Sequence, residues 1–385
     1  MTDIKMFSMG FGESVMLSNE NECMLVDCGS ESEYKNTYFN NVFNELDRYD
    51  KKSAMLSHYH EDHINGFIRM AKENRHRFET VYIPDVFTFS HPNFVDMEII
   101  KYILESIHCP GERTLSLWDL LKLLCDKKIN IKPLKRRKKA FCEIGEEFDV
   151  LWPVPENVVS KRFYNALKLK LTAEIINSVE RISNQISELF ISSEGSFTAD
   201  SFWGVHFPNI DEMIDEIVIT IKAKETNLLS EPEAEKLIKT IRSEANKTSI
   251  VFQNSDENIC KNVLMTGDIT NGIMKKIAEN SLTGSVPLKK NYYCIKVPHH
   301  GTETHYFNFG CYTVFQNLLI SNGETNKSKR KKISKQYNLL NREYNIVCTN
   351  CSFERCECFD VFPKITCSNA NDKCNCKFYR DILIL

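Results

Sequence analysis

The chain has 385 residues, 42% of them hydrophobic and 26% charged, with a formal net charge of -3. This is the composition of a globular protein with a sizeable core, and it excludes a disordered, collagen-like or strongly polycationic chain. No apolar run approaches the ~20 residues that a membrane span needs, and Met1-Thr2-Asp3-Ile4-Lys5 lacks the character of a signal peptide.

In chain order, residues 4 to 29 read as short strands with turns at Gly10 and Gly29, the last running Met24-Leu25-Val26-Asp27-Cys28-Gly29. Residues 34 to 49 read as an amphipathic helix, with Tyr38, Phe39, Val42, Phe43 and Leu46 at helical spacing. Ala54-Met55-Leu56 is a short strand that runs into Ser57-His58-Tyr59-His60-Glu61-Asp62-His63, and residues 64 to 74 read as the next helix. A strand at 80–84, helices near 95–107 and 115–127, and strands up to Pro153 follow. Residues 156 to 245 form a mostly helical insertion that places Leu167, Leu171, Ile175, Ile176, Val179, Ile182 and Ile186 on one face. Such a stripe is most often packed core; a lid over a cleft, or a contact with a protein partner or a second copy, is the sharper alternative. Two further strands end in polar clusters, Val263-Leu264-Met265-Thr266-Gly267-Asp268 and Ile295-Lys296-Val297-Pro298-His299-His300-Gly301.

Residues 58 to 63 hold three of the chain's 10 histidines together with Asp62. His58 and His60, two apart in extended backbone, project to one side and can share an ion, while Tyr59 points away. Asp62 and His63 fall where the chain turns into a helix and can hold a second ion. Imidazole plus carboxylate is a donor set that suits zinc and its neighbours. Asp27, Asp268 and the His299-His300 pair each close a strand in the same way, and sheet proteins collect their sites at strand ends. Taken singly, a TGD turn or an HH pair is more often structural.

With these pieces in order, the chain resembles the metallo-β-lactamase superfamily, and within it the hydrolase domain of ComEC-type DNA-uptake proteins and their stand-alone relatives. The matching segments are LVDCG, SHYHEDHINGF, FDVLWPVPE, NKTSIVF, VLMTGDI, KVPHHGTETH and LLISNG, spanning roughly residues 5 to 325. The resemblance implies an α/β fold, a four-layer αββα sandwich carrying the helical insertion and a Cys-rich C-terminal extension. Residues 1-155 and 246-345 would be its two halves, 156-245 the insertion and 346-385 the tail. It also implies two divalent ions, zinc or manganese, and hydrolysis by water that the ions activate. His58 and His60 match the first ion's ligands, Asp62 and His63 the second's, and Asp268 the carboxylate between them. His300 stands where the last ligand usually lies, with His299 the less favoured choice, and Asp27 matches an acid that orients the loop histidines. Asp62 and Asp268 are thereby catalytic, and His305 is a candidate proton donor to a leaving group. One departure stands out: many members supply another histidine after the strand that ends here at Trp152-Pro153, and no histidine lies between Cys109 and His206. His206 could substitute only if the insertion folds back over the site; a partly buried structural role is the simpler reading.

Substrate class rests on local charge. Lys135-Arg136-Arg137-Lys138-Lys139 and the run from Lys327 to Lys335 are concentrated basic segments, read either as solvated loops or as contacts to a phosphate backbone. Combined with a two-ion site, they tilt the reading toward a nuclease or other phosphodiesterase acting on DNA, another nucleic acid or a nucleotide. ComEC-like free-standing relatives are found in bacterial defence against phage, and the resemblance extends to that role. A hydrolase of a lactam, thioester or lactone, and a degenerate module that only binds nucleic acid or a partner, are the alternatives.

Of 15 cysteines, eight are scattered, as in a reducing cytoplasm. Cys348, Cys351, Cys356, Cys358, Cys367, Cys374 and Cys376 crowd the tail with one C-x2-C and two C-x-C spacings. Their density suggests a structural zinc knot, with disulfides as the runner-up.

Overall fold

The computed structural model describes residues 3–31, 36–75, 78–87, 92–108, 117–126, 129–136, 141–154, 160–192, 202–223, 229–255, 262–279, 286–323, 333–334, 336–337, 345–349 and 382–384. The first part of the chain forms β1 (Asp3–Phe7), β2 (Val15–Ser18), β3 (Glu22–Val26), α1 (Asn36–Leu46), β4 (Lys51–Met55), α2 (Glu61–Lys72), β5 (Thr80–Pro84), α3 (Pro92–His108), α4 (Leu117–Asp126) and β6 (Asn130–Leu134). After β7 (Phe141–Glu143) and β8 (Glu146–Trp152) come four helices, α5 (Lys161–Lys168), α6 (Ala173–Ser192), α7 (Phe202–Ala223) and α8 (Glu231–Ala245). The chain then forms β9 (Val251–Asn254), β10 (Val263–Met265), α9 (Asn271–Ala278), β11 (Asn291–Lys296), β12 (Val314–Ile320), β13 (Asn345–Cys348) and β14 (Ile382–Ile384).

The strands make two seven-stranded sheets, ordered β14-β1-β2-β3-β4-β5-β6 and β13-β12-β11-β10-β9-β8-β7. In the first, β3 to β6 run parallel, and in the second, β10 to β13 do. Alternation along the strands divides the apolar residues between two faces. Ile4, Met6, Val15, Leu17, Met24, Val26 and Met55 of the first sheet cluster with Phe148, Val150, Phe252, Val263, Met265, Cys294 and Leu319 of the second. Their neighbours Phe7, Met16, Leu25, Ala54, Val81 and Ile83 turn the other way, into a cluster with α1 to α8. Leu264, Ile295, Leu318 and Ile320 pack against α9 and the loops around it. The two C-terminal strands, β13 and β14, each form the edge of one sheet.

The apolar stripe of the insertion's first half is carried by two helices, α5 and α6. Thr172 Oγ1 takes the Ile175 amide at 3.4 Å and starts α6 afresh. The apolar stripe survives the break: Leu167, Ile175, Val179, Ile182 and Ile186 are buried in the same cluster as Phe94, Ile99 and Ile103 of α3. No helix among the described residues is long and apolar enough to cross a membrane.

Candidate metal centre

Asp27 ends β3 in a left-handed conformation (φ 57°), which turns its carboxylate toward the loop after β4. Its Oδ1 accepts the Ser57 amide at 2.7 Å, and its Oδ2 lies 2.6 Å from Ser57 Oγ and 2.8 Å from His63 Nδ1. The carboxylate thereby fixes a proton of His63 on Nδ1 and turns Nε2 toward the cluster, where it can take either a proton or a cation. The loop sits tight against α2: a side chain at Gly29 would put its Cβ 2.2 Å from the Asp62 carbonyl carbon. That helix begins at Glu61, not at residue 64, because Glu61 and Asp62 in its first turn suit the positive end of the helix.

His58 repeats the pattern of His63. Ser57 Oγ spends its proton on Asp27, so the 3.0 Å contact with His58 Nδ1 is donated by the imidazole, again exposing Nε2. His60 is held the other way round, its Nε2 donating to the Arg242 carbonyl of α8 at 2.8 Å and its Nδ1 left as acceptor. Tyr59 points inward and donates to the Pro84 carbonyl at 2.9 Å. Glu61 is half-buried.

From the second sheet, Gly267 (φ 51°) turns Asp268 into the same space, and the Asp268 amide donates to Ser249 Oγ at 3.0 Å. Asp268 Oδ2 lies 2.7 Å from His299 Nδ1, 3.4 Å from His63 Nε2 and 3.5 Å from His300 Nε2. His300 donates from Nδ1 to the Ser321 carbonyl at 2.8 Å, and its Nε2 sits 3.1 Å from Asp62 Oδ2. Three imidazoles, those of His58, His63 and His300, thus each anchor Nδ1 to the protein, and His63 joins two donor groups, one with His58 and Asp268 and one with Asp62 and His300.

Two carboxylates and the lone pairs of buried imidazoles in one space repel unless a cation or a proton joins them. Burial disfavours charge on His63, yet Asp268, Asp27 and Asp62 hold its imidazole well above the usual histidine range. Burial opposes charge on Asp62 and Asp268 as well, but His63 and His300 beside the first, and His300, His299 and His63 beside the second, hold both well below the carboxylate range. Burial drives His58 down to a neutral imidazole and lowers His60 to about 3. His58 Nε2, His63 Nε2 and Asp268 Oδ1 are buried without a hydrogen-bond partner among the described residues. The donor atoms of His58, His63 and Asp268 all lie within 4.8 Å of one another, as do those of Asp62, His63 and His300. Orphaned donors at that spacing, imidazole and carboxylate together, fit a divalent ion.

The other expected residues fall around this cluster. His299 binds Asp268 and is 16% exposed. His305 packs against His299 with ring centroids 3.9 Å apart and the rings tilted by 33°. His206 lines a groove of about 280 Å³ between α6 and α7, with Gln185, Leu189, Ile210 and Met213. It is not among the converging groups, so α7 does not fold back to replace the absent histidine. Cys348 is buried in β13; Cys351, Cys356, Cys358, Cys367, Cys374 and Cys376 lie outside the described residues. Lys135 pairs with Asp85 at 2.7 Å, while residues 137–140 and most of the second basic run also lie outside them.

Sequence reasoning missed Lys296 and Glu13, a fully buried ion pair behind Asp268, with Lys296 Nζ 3.7 Å from Asp268 Oδ1. Burial lowers the Lys296 ammonium, but Glu13 and Asp268 outweigh it and hold the pKa above the usual lysine range. The available signal was a charged residue between Ile295 and Val297 in a strand with no exposed face.

Fold and site together define an α/β protein of two sheets with a buried histidine–aspartate donor cluster at the ends of β3, β4, β10 and β11. No protein-family profile matches the chain, and no curated protein matches it. Among solved structures it is similar to the metallo-beta-lactamase fold protein YhfI from Bacillus subtilis, at 9% identity and a TM-score of 0.33, over 83% of this chain and 86% of that one. At that level the likeness fixes neither fold nor chemistry, and the donor geometry alone bears on function.

Proposed function

We propose that this chain is a metal-dependent hydrolase of the metallo-β-lactamase superfamily, an αββα sandwich of the ComEC-like kind, and that it cleaves phosphodiesters in a nucleic acid or nucleotide. The observation that carries this reading is the convergence of His58, His63, Asp62, Asp268 and His300, with three orphaned buried donor atoms among them. His58 and His60 would hold one ion and Asp62, His63 and His300 the other, with Asp268 between. Divalent ions there supply Lewis acidity and make a nucleophile available from water at neutral pH.

The chain's own residues do the rest. Asp27 and Ser57 lock the tautomers of His63 and His58, and the Ser321 carbonyl locks that of His300. His299 holds Asp268 in place, and His305, packed against His299, would pass a proton to a leaving oxygen. The basic runs give the phosphate preference its support, and the clustered tail cysteines would bind a structural zinc apart from the active site.

The test is hydrolysis by the purified chain, with manganese or zinc, of single- and double-stranded DNA, RNA and cyclic nucleotides beside a lactam, a thioester and a lactone. Phosphodiester cleavage that vanishes in Asp268→Ala is expected. Turnover of the lactam, thioester or lactone alone would overturn the substrate class, and no metal-dependent turnover of any of them would overturn the enzyme reading.

A further inference from the structure

On the metal reading above, the ion held by His58 and His60 has Asp268 as its one other protein donor, because no histidine follows Trp152-Pro153. Divalent ions in proteins take about four ligands or more. Helix α8 ends beside His60, its Arg242 carbonyl accepting from His60 Nε2 and leaving Nδ1 free for an ion. One helical turn later Asn246 closes α8. The Asn246 side chain is 4% exposed, and its Oδ1 has no hydrogen-bond partner among the described residues. Its Nδ2 lies 3.5 Å from His299 Nδ1. That nitrogen already gives its proton to Asp268 Oδ2 at 2.7 Å, so it offers no lone pair to an amide hydrogen. Oδ1 is therefore the end of the carboxamide left without a partner among the described residues, and the side chain lies beside the His299–Asp268 pair on the helix whose Arg242 carbonyl holds His60.

The backbone around it is pinned. Trp152 Nε1 donates to the Lys247 carbonyl at 2.6 Å, and Thr248 Oγ1 donates to the Ala245 carbonyl at 2.8 Å. Ser249 Oγ accepts the Asp268 amide. Residues 246 to 249 are thus built into the wall of the cluster. A buried amide left unpaired costs about 1–3 kcal/mol, which a bound cation would offset.

We infer that Asn246 Oδ1 is a further donor to the ion held by His58 and His60, standing in for the histidine this chain lacks. An amide oxygen is a harder ligand than imidazole, so the substitution biases that position toward manganese relative to zinc. The insertion, through α8, is then part of the metal site rather than an appendage.

The test is titration of the metal-stripped full chain with Mn²⁺ and with Zn²⁺ by calorimetry, comparing wild type with Asn246→Leu, Asn246→Asp and Asn246→His. Asn246→Leu should bind its weaker ion at least about tenfold less tightly, a loss of the size seen when a metal-supporting group is removed. Asn246→Asp should recover that affinity, and Asn246→His should raise the preference for zinc over manganese. Unchanged affinities in Asn246→Leu overturn the assignment. If the leucine variant does not fold, an unchanged zinc-to-manganese preference in Asn246→His overturns it instead. A wild type that binds neither metal defeats the underlying metal reading, which separates that failure from this one.

Discussion

His58 to His63 and His299 to Gly301 deliver imidazoles to one cluster through different kinds of backbone. In the first, β4 runs into α2 and the ligands sit on ordinary extended and helical residues, held by Asp27 from the neighbouring strand. In the second, His299, His300 and Gly301 are all left-handed, at φ 47°, 55° and 73°. Left-handed residues other than glycine cost about 1–2 kcal/mol each, and they persist where surrounding contacts over-determine them. Those contacts are present: the Asn322 carboxamide donates to the His300 carbonyl, and His300 Nδ1 donates to the Ser321 carbonyl. The first loop is placed by secondary structure and the second by a strained turn clamped from β12 and the residues after it.

If the first loop and the second, whose His299 holds Asp268 from the end of β10, are equal partners in chemistry despite this difference, losing either Asp62 or Asp268 should have the same, largest effect. Asp62→Ala and Asp268→Ala should each reduce metal-dependent hydrolysis to background while circular dichroism stays native. Normal turnover in either would place the chemistry elsewhere.

The second loop's dependence on clamping predicts a next-largest effect on stability. Lys296 and Glu13 are buried together behind Asp268, and removing one partner of a buried pair costs about 3–5 kcal/mol. Lys296→Met should therefore lower the denaturant midpoint by that order of free energy. A loss below about 1 kcal/mol, as for an exposed pair, would show that Asp268 is held by other means.

Two glycines sharpen the contrast. Gly29→Ala pushes a Cβ into the α2 backbone at 2.2 Å, where only movement of Asp62 and His63 can relieve it. Gly301→Ala strains a left-handed residue and meets the Ile320 side chain at 2.9 Å, a softer neighbour. Metal affinity and melting temperature should fall further for Gly29→Ala, by overpacking of about 1–3 kcal/mol or more. The reverse order would mean that the turn, not the helix, sets the geometry.

The smallest effect concerns thiols, and it compares interior with surface. Burial pushes the Cys23 thiol up to about 12 and raises Cys28 and Cys294 as well, whereas Cys142 and Cys311 are exposed. Iodoacetamide at neutral pH should label Cys142 and Cys311 in the native chain and reach the other three only after unfolding, as peptide mass spectrometry would show.

Much of the cluster could be read in the sequence because its signals are local. Short apolar strands alternate with period two, and each stops at a ligand-bearing turn, so Asp27, His58, Asp62, His63 and Asp268 stand out by position, whereas His300 is chosen over His299 by the resemblance, and His60 lies beside His58 but outside the converging donor groups. Glu13, Arg242 and Asn246 gave no such signal. Glu13 follows a glycine turn and meets Lys296 only because the two sheets stack, and Arg242 contributes a carbonyl, which every residue has. The break between α5 and α6 left no mark on the apolar stripe, whose spacing continues past Thr172. The start of α2 was misjudged because Glu61, Asp62 and His63 carry no apolar periodicity; their charges, not their burial pattern, begin the helix.

The central claim is that these orphaned donors hold divalent ions. Its most direct measurement is the metal content, by elemental mass spectrometry, of full-length protein loaded with Mn²⁺ or Zn²⁺ and desalted, for wild type beside Asp268→Asn. The account predicts ions retained by wild type and largely lost from a folded Asp268→Asn. Equal retention by the two, or no retention by wild type, would contradict it.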